Sequence, residues 1–121
     1  MNRKVLFVIN PVAGGKVRHI DDVIIRSHLF DDFQIVNTEY PGHAFELAKE
    51  TDCDIVAAVG GDGTVNEVAR GLIGSDKTLA IIPCGSGNGL ALHLGISTNV
   101  NNALKKIAFG NTQKIDAALI D

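Results

Sequence analysis

The chain has 121 residues, which is enough for one domain with a hydrophobic core. Its formal net charge is -3 and its basic residues are scattered, which disfavours nucleic acid as a partner because such binding needs a basic surface. Cys53 and Cys84 show no CxxC spacing, so we expect reduced thiols, no structural zinc and a cytoplasmic protein. The apolar run over residues 5–9 is too short for a signal peptide or a membrane span.

The first half of the chain predicts two strands, each followed by a helix. Residues 5–9 and 34–38 are short apolar or β-branched runs bounded by polar residues, as buried parallel strands are. Residues 17–29, between them, carry a broad apolar stripe at helical spacing. After the second strand, alanine and leucine recur over residues 44–48 on one helix face.

The second half continues this alternation. Strands are predicted over residues 55–59 and 79–82, and a weaker one, with two alanines, over residues 114–120. Helices are predicted over residues 65–73 and 100–108, and a glycine that can end the helix follows each. The order predicts a three-layer α/β fold, with a mostly parallel sheet and helices on both faces.

Three glycine-containing loops follow strands of this predicted sheet. They occupy residues 10–16, 60–64 and 83–89. Any single loop of this kind reads equally well as an ordinary turn, because Gly, Pro and Asn mark loops in general. Ligands of open α/β sheets bind outside the carboxyl ends of the strands, so three such loops on one edge predict one site.

The central loop, Gly60-Gly61-Asp62-Gly63-Thr64, has the pattern of a phosphate-binding turn. Adjacent glycines let the backbone approach an anion closely, and the helix behind them directs unpaired N–H groups at it. A carboxylate in such a turn would repel bare phosphate. Asp62 therefore indicates contact through Mg²⁺ or water, and so chemistry on a nucleotide.

Two common nucleotide motifs are absent. A Walker A loop needs Gly where Asn10 stands and Ser or Thr where Val17 stands. The GxGxxG dinucleotide fingerprint fails at its last glycine, which is Asn66 in the central loop and Leu90 in the third. The site is therefore not a P-loop, and a Rossmann dehydrogenase is disfavoured.

Taken together, the loops resemble the diacylglycerol kinase catalytic domain family, which includes sphingosine, ceramide and bacterial soluble lipid kinases. The resemblance spans residues 4–116. It is carried by Asn10-Pro11 with Gly14, by residues 60–68 and 83–91, and by Thr38 with Gly42 and Ala44. The central turn alone is less specific, because NAD kinases and phosphofructokinases carry a similar one. The fold that the resemblance implies is that of the NAD kinase and diacylglycerol kinase nucleotide-binding domain.

The resemblance implies a site for ATP and Mg²⁺. The first loop from Asn10 would line the adenosine or ribose side, and Thr38 would add a hydroxyl hydrogen bond. The central turn would wrap the phosphates, with Thr64 at the helix N-cap and Asp62 as the catalytic residue, while the metal ligands stay open. The implied binding residues are Asn10, Pro11, Val12, Ala13, Gly14, Thr38, Gly61, Asp62, Gly63, Thr64, Val65, Asn66, Glu67 and Ser86.

Structural roles compete with several of these assignments. Thr64 would cap its helix in any case, and Glu67 follows at the spacing of a capping box. His43 is expected to be a cap or surface residue rather than a base. Lys16 near the first loop could reach a phosphate or could be solvated, and both remain open.

The family's catalytic unit also has a second, β-rich domain with the lipid pocket, the general base and most Mg²⁺ ligands, and nothing here resembles it. We therefore expect an ATP-binding half of a lipid kinase that phosphorylates a lipid hydroxyl, diacylglycerol by default, with little turnover on its own. The expected partners are ATP and a lipid that is reached through the second domain. We also expect peripheral contact with the inner face of the membrane, and a homodimer formed through an exposed apolar face. The alternatives are an NAD kinase-like phosphotransferase and a non-catalytic nucleotide-binding module.

Overall fold

The computed structural model describes residues 4–11, 20–83 and 100–109. These ranges contain four strands and four helices in strict alternation, in the predicted order. The predicted strand over residues 114–120 lies outside them, as do the first three residues of the first predicted helix. In chain order the elements are β1 (Val5–Ile9), α1 (Ile20–Ser27), β2 (Phe33–Asn37), α2 (His43–Glu50), β3 (Ile55–Gly60), α3 (Asp62–Gly71), β4 (Thr78–Pro83) and α4 (Val100–Ala108).

The four strands form one parallel sheet in the order β2-β1-β3-β4. At the carboxyl ends, Ile9 of β1 pairs with Asn37 of β2 and with Val59 of β3. Val59 in turn pairs with Ile82 of β4. All four strands therefore end at the same edge of the sheet.

The central strands β1 and β3 are buried along their whole length. Alternate residues point to opposite faces, so Phe7 of β1 lies in a cluster with residues of α1 and α4. Its neighbours Leu6 and Val8 lie in a second cluster with residues of α2 and α3. Helices thus cover both faces of the sheet, and the predicted three-layer α/β fold is confirmed.

Helix α3 begins three residues earlier than the sequence predicts. It spans Asp62–Gly71, with Gly61 as its N-cap and no side-chain hydrogen bond at that cap. The prediction that Thr64 is the N-cap is therefore wrong, and so is the capping box with Glu67. The apolar periodicity begins only at Val65, because the first turn carries Gly and Asp, and an acid there is favoured by the helix dipole.

Two further sequence-based expectations concern thiols and membranes. Cys53 is a buried free thiol, whereas Cys84 lies outside the described ranges. Across residues 4–11, 20–83 and 100–109, no helix is long and apolar enough to cross a membrane.

Candidate functional site

The carboxyl edge of the sheet brings the ends of β1 and β2 together. The backbone N–H of Asn10 donates to the carbonyl of Val59 at 3.2 Å, and that of Thr38 donates to the carbonyl of Ile9 at 2.8 Å. Both residues therefore extend the hydrogen-bond ladder one step beyond their strands. This fixes their positions beside the start of α3.

A cavity of about 340 Å³ lies at this edge. Its described wall comes from the segments after β1 and β2, from the first turn of α2 and from the first two turns of α3. Five of the residues predicted for the ATP site line it, so three separate predicted segments meet at one cavity. The described residues that line it are Asn10, Pro11, Thr38, Glu39, Tyr40, Pro41, Ala44, Thr64 and Glu67.

The Gly61-Asp62-Gly63 turn consists of the N-cap and the first two residues of α3, directly before Thr64 in this wall. A Cβ atom added to Gly61 or to Gly63 would meet no atom within 4 Å, so open space adjoins the backbone there. Asp62 is exposed in the first helical turn, and the amide of Val65 donates to the carbonyl of Gly61 at 3.2 Å. The turn thus combines free space with a helix N-terminus, the arrangement that suits a phosphate.

Four predicted residues of α3 are not among the described residues that line the cavity. Two of them, Asp62 and Gly63, lie in the exposed first turn of the helix, and the other two are Val65 and Asn66. The side chain of Val65 is fully buried in the core between α3 and the sheet. Asn66 is half-buried, and its Oδ1 atom is buried without a hydrogen-bond partner among the described residues. Any contact of Val65 or Asn66 with a nucleotide would have to involve the backbone or a rearranged Asn66 side chain.

Four of the predicted site residues fall outside the described ranges, so their assignments stay predictions. They are Val12, Ala13, Gly14 and Ser86. The same applies to Lys16.

The loop between β2 and α2 is held together by a cluster of side chains that the sequence did not predict. Gly42 adopts a left-handed conformation with φ 90° at the N-cap of α2. His43 accepts the backbone N–H of Glu39 on its Nδ1 atom at 3.0 Å and stacks on Tyr40, with ring centroids 4.4 Å apart. His43 is thus part of the loop structure, and the prediction that it does not act as a base stays a prediction.

Tyr40 completes this cluster, because its hydroxyl donates to the Glu46 carboxylate on α2. That hydrogen bond, with the partial burial of the phenol and the nearby negative charge of Glu46, raises the pKa of Tyr40. The sequence analysis did not predict three residues of the cavity wall, because no nucleotide motif contains them. They are Glu39, Tyr40 and Pro41. The signal available was positional: they directly follow a strand of a parallel sheet.

The described part of the cavity wall carries acidic and no basic side chains. Residues 4–11, 20–83 and 100–109 contribute the carboxylates of Glu39 and Glu67 to it, and no lysine or arginine. In the described part of the chain, no group of three or more His, Cys, Asp or Glu residues could hold a metal ion. Mg²⁺ in kinases is commonly held by one or two carboxylates together with substrate phosphates, and Asp62 fits the role of one such ligand.

Comparisons with known proteins identify the family. The model of the diacylglycerol kinase catalytic domain matches residues 4–120. Diacylglycerol kinase of Staphylococcus epidermidis is 30% identical over 124 residues, which cover 96% of this chain and 39% of that enzyme. Sphingoid long chain base kinase 5 of Saccharomyces cerevisiae is 35% identical over 106 residues, which cover 75% of this chain and 15% of that protein.

A solved structure agrees with these sequence matches. The crystal structure of a diacylglycerol kinase from Bacillus anthracis superposes with a TM-score of 0.78 at 35% identity. The match covers 89% of this chain and 40% of the Bacillus chain, so the chain spans less than half the length of these relatives. By its sequence and its fold, the chain belongs to the lipid kinase family defined by the diacylglycerol kinase catalytic domain.

Proposed function

We propose that this chain is the ATP-binding part of a lipid kinase that transfers the γ-phosphate of ATP to a lipid hydroxyl. The observation that carries the proposal is the cavity at the carboxyl edge of the sheet. Asn10, Thr38 and Thr64 come from three separate segments and line it together, beside the open Gly61-Asp62-Gly63 turn. Family membership supports a kinase, and the geometry supports a nucleotide at this position.

The two parts of the site suit the two parts of ATP. Amide and hydroxyl groups of Asn10 and Thr38 can hydrogen-bond a sugar or a base, whereas the turn offers backbone N–H groups to phosphates. Asp62 would hold Mg²⁺ against the phosphates. The ion, when bound, neutralises charge on the phosphate oxygens, which is the main need of phosphoryl transfer. Ser86 and residues 12–14 would complete the phosphate contacts.

The acceptor is proposed to be a lipid, with diacylglycerol as the default. The support comes from relatives, which are named as kinases of diacylglycerol and of sphingoid long chain bases. The acceptor pocket, the general base and further Mg²⁺ ligands are proposed to lie in a second domain, as in the family. We therefore expect the 121-residue chain by itself to bind ATP weakly and to turn over little.

The first test is phosphate transfer from labelled ATP to diacylglycerol, sphingosine, ceramide and NAD by the full-length protein. Asp62→Ala is expected to lower the rate of lipid phosphorylation by about a hundredfold or more, because charge neutralisation at the phosphates is lost. Asp76→Ala is the matched control, since Asp76 is an exposed acid in the turn after α3, outside the site. This control is expected to keep the wild-type rate.

Other outcomes of that assay would contradict the proposal. Transfer to NAD alone would identify an NAD kinase-like enzyme, which shares the glycine turn. Absence of transfer to every acceptor, with Mg-ATP binding intact by calorimetry, would indicate a nucleotide-binding module without catalysis. Wild-type rates in Asp62→Ala would remove Asp62 from the mechanism.

A further inference from the structure

Tyr40 is the one aromatic side chain among the described residues that line the cavity, and no motif in the sequence assigns it a role. It lies in the loop between β2 and α2, two residues after Thr38. Nearly half of its surface, 48%, is exposed. The ring therefore stands at the surface of the cavity instead of packing into the core.

Two contacts fix the orientation of the ring. The imidazole of His43 stacks on it at an interplanar angle of 12°, and its hydroxyl donates to Glu46. His43 is itself held by the backbone N–H of Glu39. An exposed aromatic side chain that is already immobilised loses little conformational entropy when a ligand contacts it, so the ring is preorganised for binding.

The charges around Tyr40 indicate which part of a nucleotide would lie there. Glu39 and Glu67 are in the same wall, and neither lysine nor arginine accompanies them in the part of the wall that the structure describes. Carboxylates repel phosphate groups and accept hydrogen bonds from hydroxyl and amino groups. The cavity thus suits an uncharged nucleoside, and the phosphates suit the Gly61-Asp62-Gly63 turn.

We propose that Tyr40 contacts the nucleobase of ATP by stacking, and so determines the affinity of the site for a base. The inference rests on the proposed ATP-binding function and adds a specificity residue to it. His43 covers one face of the phenol ring, and the exposed remainder is the surface available to a purine. Stacking needs only a planar π surface, which every nucleobase provides.

The wild-type chain supplies a direct test, because it contains one tyrosine and no tryptophan. Its intrinsic fluorescence therefore reports on Tyr40 alone. Mg-ATP is expected to change this fluorescence. Mg-tripolyphosphate, which has the phosphates but no base, is expected to bind without changing it. If calorimetry shows ATP binding and the fluorescence stays constant, the base contact is wrong.

Variants provide the second test, with affinities for both ligands measured by calorimetry. Tyr40→Leu keeps an apolar side chain but removes the ring. This variant is expected to lower the affinity for Mg-ATP by roughly tenfold and to leave the affinity for Mg-tripolyphosphate unchanged. Tyr40→Phe keeps the ring and is expected to retain most of the affinity. Phe109→Ala removes an aromatic residue that is 70% exposed at the end of α4 and serves as the control.

The outcomes separate this inference from the proposed function. If Tyr40→Leu lowers the affinities for Mg-ATP and Mg-tripolyphosphate equally, Tyr40 only shapes the loop, and the base contact is overturned. Unchanged ATP affinity in that variant would overturn it as well. A wild-type chain that binds neither ligand would overturn the ATP site itself and the base contact with it.

Discussion

The phenol of Tyr40 donates its proton to a carboxylate, and this bond opposes ionisation. The Glu46 hydrogen bond, partial burial and neighbouring negative charges all raise the pKa of Tyr40 in the folded chain above its ordinary value of about 10. Because folding raises this pKa, the phenol of Tyr40 makes its full contribution to the free energy of unfolding at pH values below the pKa of Tyr40 in the unfolded chain. This contribution is lost as the pH rises through the folded pKa.

We therefore expect the folded chain to form tyrosinate at a higher pH than the chain unfolded in denaturant. Absorbance measures this directly, because Tyr40 is the single tyrosine. Glu46→Gln removes the charge of the acceptor and is expected to lower the folded midpoint, leaving a smaller shift from Glu39 and Glu50. Identical midpoints in the folded and unfolded chains would show that the phenol does not donate to Glu46.

Helices α2 and α3 approach so closely that the last residue of α3 has to be glycine. A Cβ atom on Gly71 would lie 2.6 Å from the carbonyl oxygen of Phe45 and 2.8 Å from the Cβ atom of Ala48. The first of these atoms belongs to the α2 backbone and the second is bonded directly to it. The clash could therefore be relieved only if the two helices moved apart. Such overpacking costs about 1 to 3 kcal/mol, more than the gain of up to about 1 kcal/mol in helix propensity from Gly to Ala.

Gly71→Ala is therefore expected to lower the free energy of unfolding by roughly 1 to 2 kcal/mol, measured by urea denaturation. Gly63→Ala is the matched control in the same helix, since its Cβ atom would meet nothing within 4 Å. This control is expected to leave the free energy of unfolding unchanged or to raise it slightly. It is nevertheless expected to lower the affinity for Mg-ATP, because the added methyl group fills space beside the phosphate turn. Wild-type stability in Gly71→Ala would mean that the helices separate freely.

The elements also show which features the sequence could predict. The central strand β3 and helix α4 were placed to within one residue, because a strand buried on both faces and a helix with one apolar face leave clear patterns. The start of α3 was missed because periodicity records burial and not backbone hydrogen bonding. Its first turn, at Asp62 and Gly63, is exposed and carries no apolar signal.

In the whole molecule, the meeting of distant loops at one edge was predictable, because parallel strands direct their carboxyl ends to the same side. The placement of Asn10, Thr38 and Thr64 around one cavity follows from that rule. The strand order β2-β1-β3-β4 could not be predicted, since buried apolar strands differ little in sequence. Sequence motifs did not identify Tyr40, and its position in the cavity wall also depends on contacts with His43 and Glu46. Only the folded loop brings these two residues to it.

The strand order also implies an uneven distribution of local stability. β1 and β3 are completely buried and each pairs with a strand on both sides, whereas β2 is partly exposed and pairs with β1 alone among the described strands. Amide hydrogen exchange slows where burial and pairing are complete. We therefore expect the slowest exchange in Val5–Ile9 and Ile55–Gly60, and faster exchange in Phe33–Asn37.

This expected distribution would put the proposed site between a slowly exchanging side and a faster one. Asn10 and Gly61 directly follow the buried strands β1 and β3, whereas Thr38 and Tyr40 follow β2, which pairs with β1 alone among the described strands. A nucleotide that bridges both sides should therefore slow exchange most in β2 and in the loop after it, and little in β1. Hydrogen exchange with and without saturating Mg-ATP measures the difference. Uniform slowing across the sheet, or none in β2, would contradict a nucleotide bound between these two sides.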